Sequence, residues 1–264
     1  MEIEVAMSFN ESLFHSFLET QQLGRSFQHF PHIDSTNAYV KRLAREHVSP
    51  ASGLVVVADA QSGGYGQHGR VWESEVGRGL YFTALLPAQT TPLVTLMVGV
   101  SLVEALRGLT GSEEVGLKWV NDLVLRGQKL GGILVEACHQ RWMAIGVGIN
   151  LRDVSDQGGI GLERLADAEA GTDLQRERVL AEVLNSLERW NARLLAGDGE
   201  AVRQHWEAYS VTLGQDVRVE SASRELVGRA VGIDASGGLK VRTREGMIEV
   251  VTSGTVRRSD GSYC

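Results

Sequence analysis

The sequence predicts an α+β protein, with a mixed β-sheet backed by helices that carries the functional residues and a small β-barrel after it. Three observations point there. Apolar runs of strand length alternate with stretches of helical periodicity through the first two thirds of the chain. After Leu213 the pattern changes to short alternating strands, DVRVE, LKVRT and MIEVV, punctuated by Gly237 and Gly238, enough for a barrel of about 45 residues. The 264 residues, 43% hydrophobic and 22% charged, suffice for one substantial core and a small second unit.

Taken in order, residues 1–24 hold one short helical pattern, Leu13, Phe14, Phe17 and Leu18, and read as a packing appendage with no room for a helix-turn-helix. Residues 25–210 form the main domain. In it a strand over Phe27–Ile33 meets Asp34, Ser35 and Thr36, candidate helix caps, and a helix with Val40, Leu43, Ala44 and His47 on one face. A second strand, Leu54–Ala58, enters the glycine-rich stretch QSGGYGQHGR, and a third spans Leu80–Leu86. Thr91 and Pro92 open a helix that buries Leu93, Leu96, Met97, Val100, Val103 and Leu106. Two strands around a short turn follow in LKWVNDLVLRGQKLGGILVEA, then a strand over Trp142–Leu151. Arg152–Gly171 reads as loop. A capping-box pattern, Thr172 to Gln175, opens a long helix with Leu180, Val183, Leu184, Leu187 and Trp190 buried, stopping near Gly197. The last unit spans 211–264.

Composition excludes several classes. With 26 basic and 33 acidic side chains the net charge is -7, so the concentrated positive footprint of a DNA binder is not expected. Cys138 and Cys264 make no disulfide framework, and Cys138 beside His139 lacks zinc-ligand spacing. MEIEVAMSFN is neither a secretory signal nor a transit peptide, and the apolar stretch Leu93–Leu106, broken by Thr95, Ser101 and Glu104, falls short of the roughly 20 residues that span a bilayer. A cytoplasmic protein without membrane partners is the expectation.

Two stretches could carry chemistry. Gly64, Gly66 and Gly69 match G-x-G-x-x-G, but RVWESEVGRGLYFTALL after them reads as loop and strand, so no helix dipole would face a pyrophosphate. The loop is either an anion cradle of backbone N–H groups or a plain flexible hairpin. Lys118, at the end of an apolar strand with Asn121 and Asp122 close behind, either neutralises a phosphate or carboxylate while the aspartate helps hold magnesium, or is a surface lysine in a turn. His68 lies in the glycine loop, where an exposed residue is the plainer reading. No Walker loop, H-E-x-x-H or G-x-S-x-G is present.

Five motifs in order, DSTN at 34–37, AQSGGYGQHGR at 60–70, KWVNDL at 118–123, KLGGILVE at 129–136 and GVGIN at 146–150, resemble the biotin–protein ligases, in a short form without an N-terminal DNA-binding domain. The resemblance covers residues 26–151 closely and the remainder more loosely. It implies a catalytic domain of class II synthetase-like, biotin/lipoate ligase type and an SH3-like C-terminal domain. It also implies the activity: biotin and ATP form biotinyl-5'-AMP, and the biotinyl group passes to a lysine of a biotin carboxyl carrier protein, with ATP and Mg2+ required and the enzyme a monomer or homodimer.

By the same resemblance Lys118 is the catalytic residue, meeting the biotin carboxylate and the α-phosphate. Ser35, Thr36, Asn37, Gln61, Gly64, Tyr65, Gly66, Gln67, Gly146 and Gly148 join it around biotin. Gly66, Gln67, Arg70, Trp72, Asn121 and Asn150 join it around ATP, and Asp122 is the metal residue. The rivals are a lipoate or octanoate ligase on the same fold and a non-catalytic biotin-binding relative. An octanoyl transferase would want a reactive cysteine, and Cys138 lies in an apolar run that suits packing.

The chain departs from the family pattern twice. Val120 stands where the family usually has proline, and where the loop usually reads G-R-G-R-x-G-R, Tyr65 and Gln67 take the first two arginine positions, leaving Arg70. Losing a charged hydrogen bond to the adenylate costs about 1.5–3 kcal/mol, roughly 10- to 100-fold in retention. Gln67→Arg is therefore expected to slow release of biotinyl-adenylate by about that factor in a stopped-flow or filter-retention assay; an unchanged release rate would count against a leaky loop.

Overall fold

The computed structural model describes residues 9–46, 52–138, 141–154, 159–165, 174–221 and 224–263. The elements are α1 Glu11–Phe17, β1 Phe27–Ile33, α2 Thr36–Glu46, β2 Val55–Gln61, β3 Gly79–Pro87, α3 Val94–Thr110, β4 Val115–Lys118, β5 Asp122–Leu125, β6 Gln128–Cys138, β7 Trp142–Asn150, α4 Arg176–Leu195, α5 Gly199–Tyr209, β8 Asp216–Glu220, β9 Glu225–Ile233, β10 Leu239–Arg242, β11 Ile248–Val251 and β12 Thr255–Arg258. A seven-stranded sheet runs β1-β2-β3-β7-β6-β5-β4, and a five-stranded sheet β11-β10-β9-β8-β12. In the first, β1 and β2 are parallel and the other pairs antiparallel, which makes it the mixed sheet that the sequence predicts. Every pair in the second is antiparallel.

Strand periodicity divides the core. Val55, Val57, Phe82, Ile145 and Val147 point to a large cluster with α3 and α4, whereas Val56, Leu85 and Ala144 point to a smaller one with Val40 and Ala44 of α2. Because α2 is short, it covers only part of its face, and the rest is left for a cavity. Cys138 belongs to this smaller cluster, and burial pushes its thiol up, as suits a packing cysteine.

The first segment packs into the principal core. Phe14 is 0% exposed and stacks on Phe27 with ring centroids 4.8 Å apart. The Glu188 carboxylate of α4 accepts from the backbone N–H groups of Gln21, Gln22 and Leu23 at 2.6, 2.8 and 2.9 Å. Among the described residues no helix is long and apolar enough to cross a membrane.

Several boundaries differ from the sequence reading. The stretch after Leu117 holds the end of β4 and two further strands, because Trp119–Asn121 already make a tight connection between β4 and β5. Thr91 Oγ1 accepts from Leu93 N–H at 3.3 Å, but α3 begins at Val94 with Leu93 as its N-cap and no side-chain cap bond. α4 starts at Arg176 with Gln175 at its N-cap position, and Thr172 of the expected capping box lies outside the described residues, as does His47. Within the expected loop 152–171, Leu162–Leu165 form a 3-10 turn that buries Leu162. α5 was not expected; its pattern Ala201, Val202, Trp206 is helical, and Asp198 caps it by accepting from Ala201 N–H. Strands β9 and β12 add to the three foreseen.

The two sheets are joined where the site lies. Val211 N–H donates to Leu117 O at 2.8 Å, so the chain leaving α5 runs beside β4. Trp119 N–H donates to Thr212 Oγ1 and its indole N–H to Gly237 O, each at 3.0 Å. The Trp119–Val120 peptide bond is cis.

Phe14→Ala removes an aromatic side chain with no exposed surface, and we expect it to lower unfolding free energy by about 3–5 kcal/mol. Urea denaturation reads this, and a loss below about 1 kcal/mol would show that α1 lies outside the cooperative core.

Candidate active site

The open part of the α2 face forms a cavity of about 320 Å³. Its floor follows from register. Alternate residues of β7, Ala144, Gly146 and Gly148, share one face, and β6 sets Gly132 opposite Gly148. A Cβ on Gly146 would come within 2.3 Å of Asn37 Oδ1, and one on Gly148 within 2.5 Å of the Trp72 ring. The alternate glycines of GVGIN therefore let an asparagine and an indole lie directly on the sheet.

The polar wall comes from the start of α2 and the end of β2. Ser35 Oγ accepts from Ala38 N–H at 3.4 Å as a helix cap. Gln61 Oε1 accepts from Thr36 N–H at 2.9 Å and Thr36 Oγ1 at 3.1 Å, while its Nε2 donates to Ser74 Oγ at 2.8 Å. Thr83 Oγ1 donates to Asn37 Oδ1 at 2.6 Å, and Asn37 Nδ2 donates to Glu136 Oε2 at 3.0 Å. Ser35, Thr36 and Asn37 are all buried, so these amides and hydroxyls are held in fixed orientations.

The charged end comes from the β4–β5 connection. Lys118 and Asp122 are direct cross-strand partners, and Lys118 is 5% exposed. Its Nζ stands 3.7 Å from Asp122 Oδ2 and 3.6 Å from the centroid of the Tyr263 ring. Asp122 Oδ2 accepts from the Tyr263 hydroxyl at 2.7 Å, and Oδ1 meets Lys129 Nζ at 2.8 Å. Asn121 is turned to the sheet, donating to Ile133 O at 2.8 Å.

Asp122 alone does not make a protein-built magnesium site. Two ammonium groups and a phenol surround its carboxylate, and among the described residues no three His, Cys, Asp or Glu side chains are grouped to hold a metal ion.

The glycine loop bridges the two sheets. It lies between β2 and β3 and forms only a 3-10 turn at Gln67–Gly69, with His68 exposed at φ 58, so it opens no dinucleotide-binding helix. Tyr65 donates its hydroxyl to Glu136 Oε2 at 2.8 Å, and Arg70 donates to Thr255 Oγ1 of β12 at 3.0 Å. Gly66 and Gln67 line the cavity between them. Trp72 also lines it, and its indole N–H is buried without a hydrogen-bond partner among the described residues, a donor that a ligand's acceptor can satisfy.

Of the residues singled out from sequence, Gly64 and Asn150 stand outside the cavity wall. Gly64 allows a tight crossing, since a Cβ there would meet Trp72 O at 2.5 Å, and Asn150 donates to Lys129 O at 3.3 Å. The others share the wall. Sequence reasoning missed Thr83, Lys129, Glu136, Thr255 and Tyr263. Lys129 and Glu136 were within a recognised motif; Thr255 and Tyr263 carry no local signal.

Residues 29–150 match the Biotin/lipoate A/B protein ligase family, and residues 212–257 match the Biotin protein ligase C terminal domain. The Bifunctional ligase/repressor BirA of Escherichia coli is 32% identical, over 88% of this chain and 74% of its own length. The Biotin--[acetyl-CoA-carboxylase] ligase of Mycobacterium tuberculosis is 30% identical, over 77% of this chain and 78% of its own. Among solved structures, biotin protein ligase from Aquifex aeolicus in complex with biotin and ATP superposes with a TM-score of 0.77 at 29% identity, covering 89% of this chain and 100% of that one.

Glu136 offers a pH test of the wall. Burial pushes its carboxyl up, but hydrogen bonds from Lys41 at 2.5 Å, Tyr65 and Asn37 outweigh this and hold it below its ordinary 4.5. A lowered folded pKa gives stability that is complete above the unfolded value and is lost as pH falls through the folded one. The stability gap between the wild type and Lys41→Met should therefore be constant at neutral pH and narrow as pH falls below about 4.5, read by urea denaturation. A gap that widens on acidification would refute this.

Proposed function

The chain belongs to the biotin protein ligase family, and from that premise we propose that it forms biotinyl-5'-AMP from biotin and ATP and transfers the biotinyl group to a lysine of a biotin carboxyl carrier protein. The observation that carries the reading is Lys118, a lysine 5% exposed, held by a strand connection in the wall of a cavity that also offers a fixed array of hydroxyls and amides.

The ureido head of biotin is a compact polar group that needs matched donors and acceptors when buried, and the Ser35, Thr36, Asn37 and Gln61 wall supplies them. The biotin carboxylate and the α-phosphate repel one another, and the Lys118 ammonium between them lowers that repulsion. A carboxylate oxygen attacks the α-phosphorus, the bond to the bridging oxygen breaks, and pyrophosphate leaves. Magnesium enters with the phosphates of ATP as their counter-ion. The mixed anhydride is open to hydrolysis, so the glycine loop, joined to β6 through Tyr65 and to β12 through Arg70, serves to exclude water until an acceptor arrives. The acceptor amine then attacks the biotinyl carbonyl and AMP leaves. The Biotin protein ligase C terminal domain match favours biotin over lipoate. A cytoplasmic location, where the acceptor carboxylases would be met, belongs to the same reading.

Incubated with ATP, magnesium, a biotin carboxyl carrier domain and either biotin or lipoate, the protein should add a biotin-sized mass to the acceptor. Lys118→Ala should lower that rate by at least about 100-fold. A lipoate-sized shift would move the assignment to the lipoate branch, and no shift with no pyrophosphate release would make the chain a non-catalytic relative.

A further inference from the structure

The polar wall of the cavity contains a choice that its own residues leave open. Thr83 Oγ1 lies 2.6 Å from Asn37 Oδ1 and 2.8 Å from Thr36 Oγ1, and a hydroxyl has one proton to give. All three side chains are buried, so bulk solvent does not decide which oxygen receives it. With the Asn37 amide oxygen toward Thr83, the proton goes there. With the amide turned over, its N–H2 would donate to Thr83 and the proton would pass to Thr36. The deciding group stands beside this wall. Asn37 Nδ2 donates to Glu136 Oε2 at 3.0 Å, and a carboxylate only accepts, so the N–H2 is kept on that side and the amide oxygen on the other. Burial notwithstanding, hydrogen bonds from Lys41, Tyr65 and Asn37 keep the Glu136 carboxyl below its ordinary 4.5, so both its oxygens are acceptors at neutral pH.

We propose that Glu136 is a positioning residue for the ligand pocket: by fixing the Asn37 amide it sets which atoms of the wall donate and which accept, and so the hydrogen-bond pattern of the ligand head that the cavity takes. The inference deepens the ligase reading and rests on it for the identity of that head, the cyclic urea of biotin. The placement of Glu136 follows from two periods. On β6, Leu134 pairs with Gly146 and Glu136 with Ala144, so Glu136 stands on the same face as the cavity floor, one step past it. On α2, Asn37 and Lys41 are four residues apart and share a side of the helix, from which both reach Glu136. Lys41 Nζ meets Oε1 at 2.5 Å, while Oε2 accepts from the Tyr65 hydroxyl at 2.8 Å as well as from Asn37. The helix cation thus holds one oxygen, and the glycine loop and the pocket wall share the other.

Two measurements decide it. The first is biotin-dependent ATP–pyrophosphate exchange. Glu136→Gln leaves one acceptor oxygen where there were two, and the Lys41 ammonium, which only donates, takes it; the new side chain's N–H2 then faces Asn37 and turns that amide over. KM for biotin should rise about 10-fold or more, and the preference for biotin over 2-iminobiotin, whose urea oxygen is replaced by an N–H group, should shrink by a similar factor. Lys41→Met combined with Glu136→Gln removes the competing cation, frees the amide oxygen for Asn37 and Tyr65, and should return both values to within about 3-fold of the wild type. A purely structural role would lower the folded fraction, read by circular dichroism, and leave KM and selectivity of the folded molecules unchanged. Wild-type KM and selectivity in Glu136→Gln, or no recovery in the double variant, overturns the proposal. The second measurement needs no ligand. In nuclear magnetic resonance spectra the Overhauser contacts of the Asn37 Nδ2 protons should run to the side chain at position 136 in the wild type and to Thr83 in Glu136→Gln; contacts that do not change overturn the proposal. If the wild type itself shows no exchange with biotin, the ligase reading falls, and the Overhauser contacts still decide what Glu136 does to Asn37.

Discussion

One buried ammonium group sets the terms for the rest of the site. Removing Lys118 from water costs several kcal/mol unless neighbours compensate. Several neighbours share that compensation. Asp122 stands opposite as a long-range counter-charge, Lys129 and the Tyr263 hydroxyl engage its oxygens, and the Tyr263 ring faces the ammonium. The junction of the two sheets follows from this, since Tyr263 belongs to the segment after β12, while Trp119, next to Lys118, bonds to Thr212 and Gly237.

The cavity depends on a second constraint, the two-residue period of a strand. One face of β7 is packed by α3 and α4, so the cavity opens on the other, and there only positions without side chains let the wall residues lie directly on the strand. Gly146 and Gly148 meet that need, and the space above them is occupied by Asn37 and Trp72, which are themselves wall residues. The same face, one step along β7 at Ala144, packs beneath α2. Site and core are successive positions on one strand.

The glycine loop differs from the resembled pattern in charge but is tied down in its own way. Tyr65 occupies a position where an arginine was expected and reaches Glu136, which also meets Lys41 and Asn37. Arg70, the retained cation, reaches Thr255 of the second sheet. Its two ends are thus held by different sheets.

Much of this was legible in the sequence. The apolar run of β2, the helical period of α3 and the alternation DVRVE gave the right element types because burial imposes those periods directly. Element ends were less legible: α3 begins two residues beyond Pro92, since helix ends are set by the first turn's contacts and not by the cap residue alone. The motif residues Ser35, Thr36, Asn37, Gln61, Lys118, Gly146 and Gly148 do meet in one cavity, whereas Gly64 and Asn150 serve its framework. Hydrophobic period and turn chemistry act over a few residues, so the sequence by itself determined the strands, the helices and the chemical types gathered at the site. The Glu136 network, the engagement of Asp122 by Lys129 and the arrival of Tyr263 were decided only by tertiary structure, because each joins residues on different elements and pairing across a fold leaves no periodic trace in the chain.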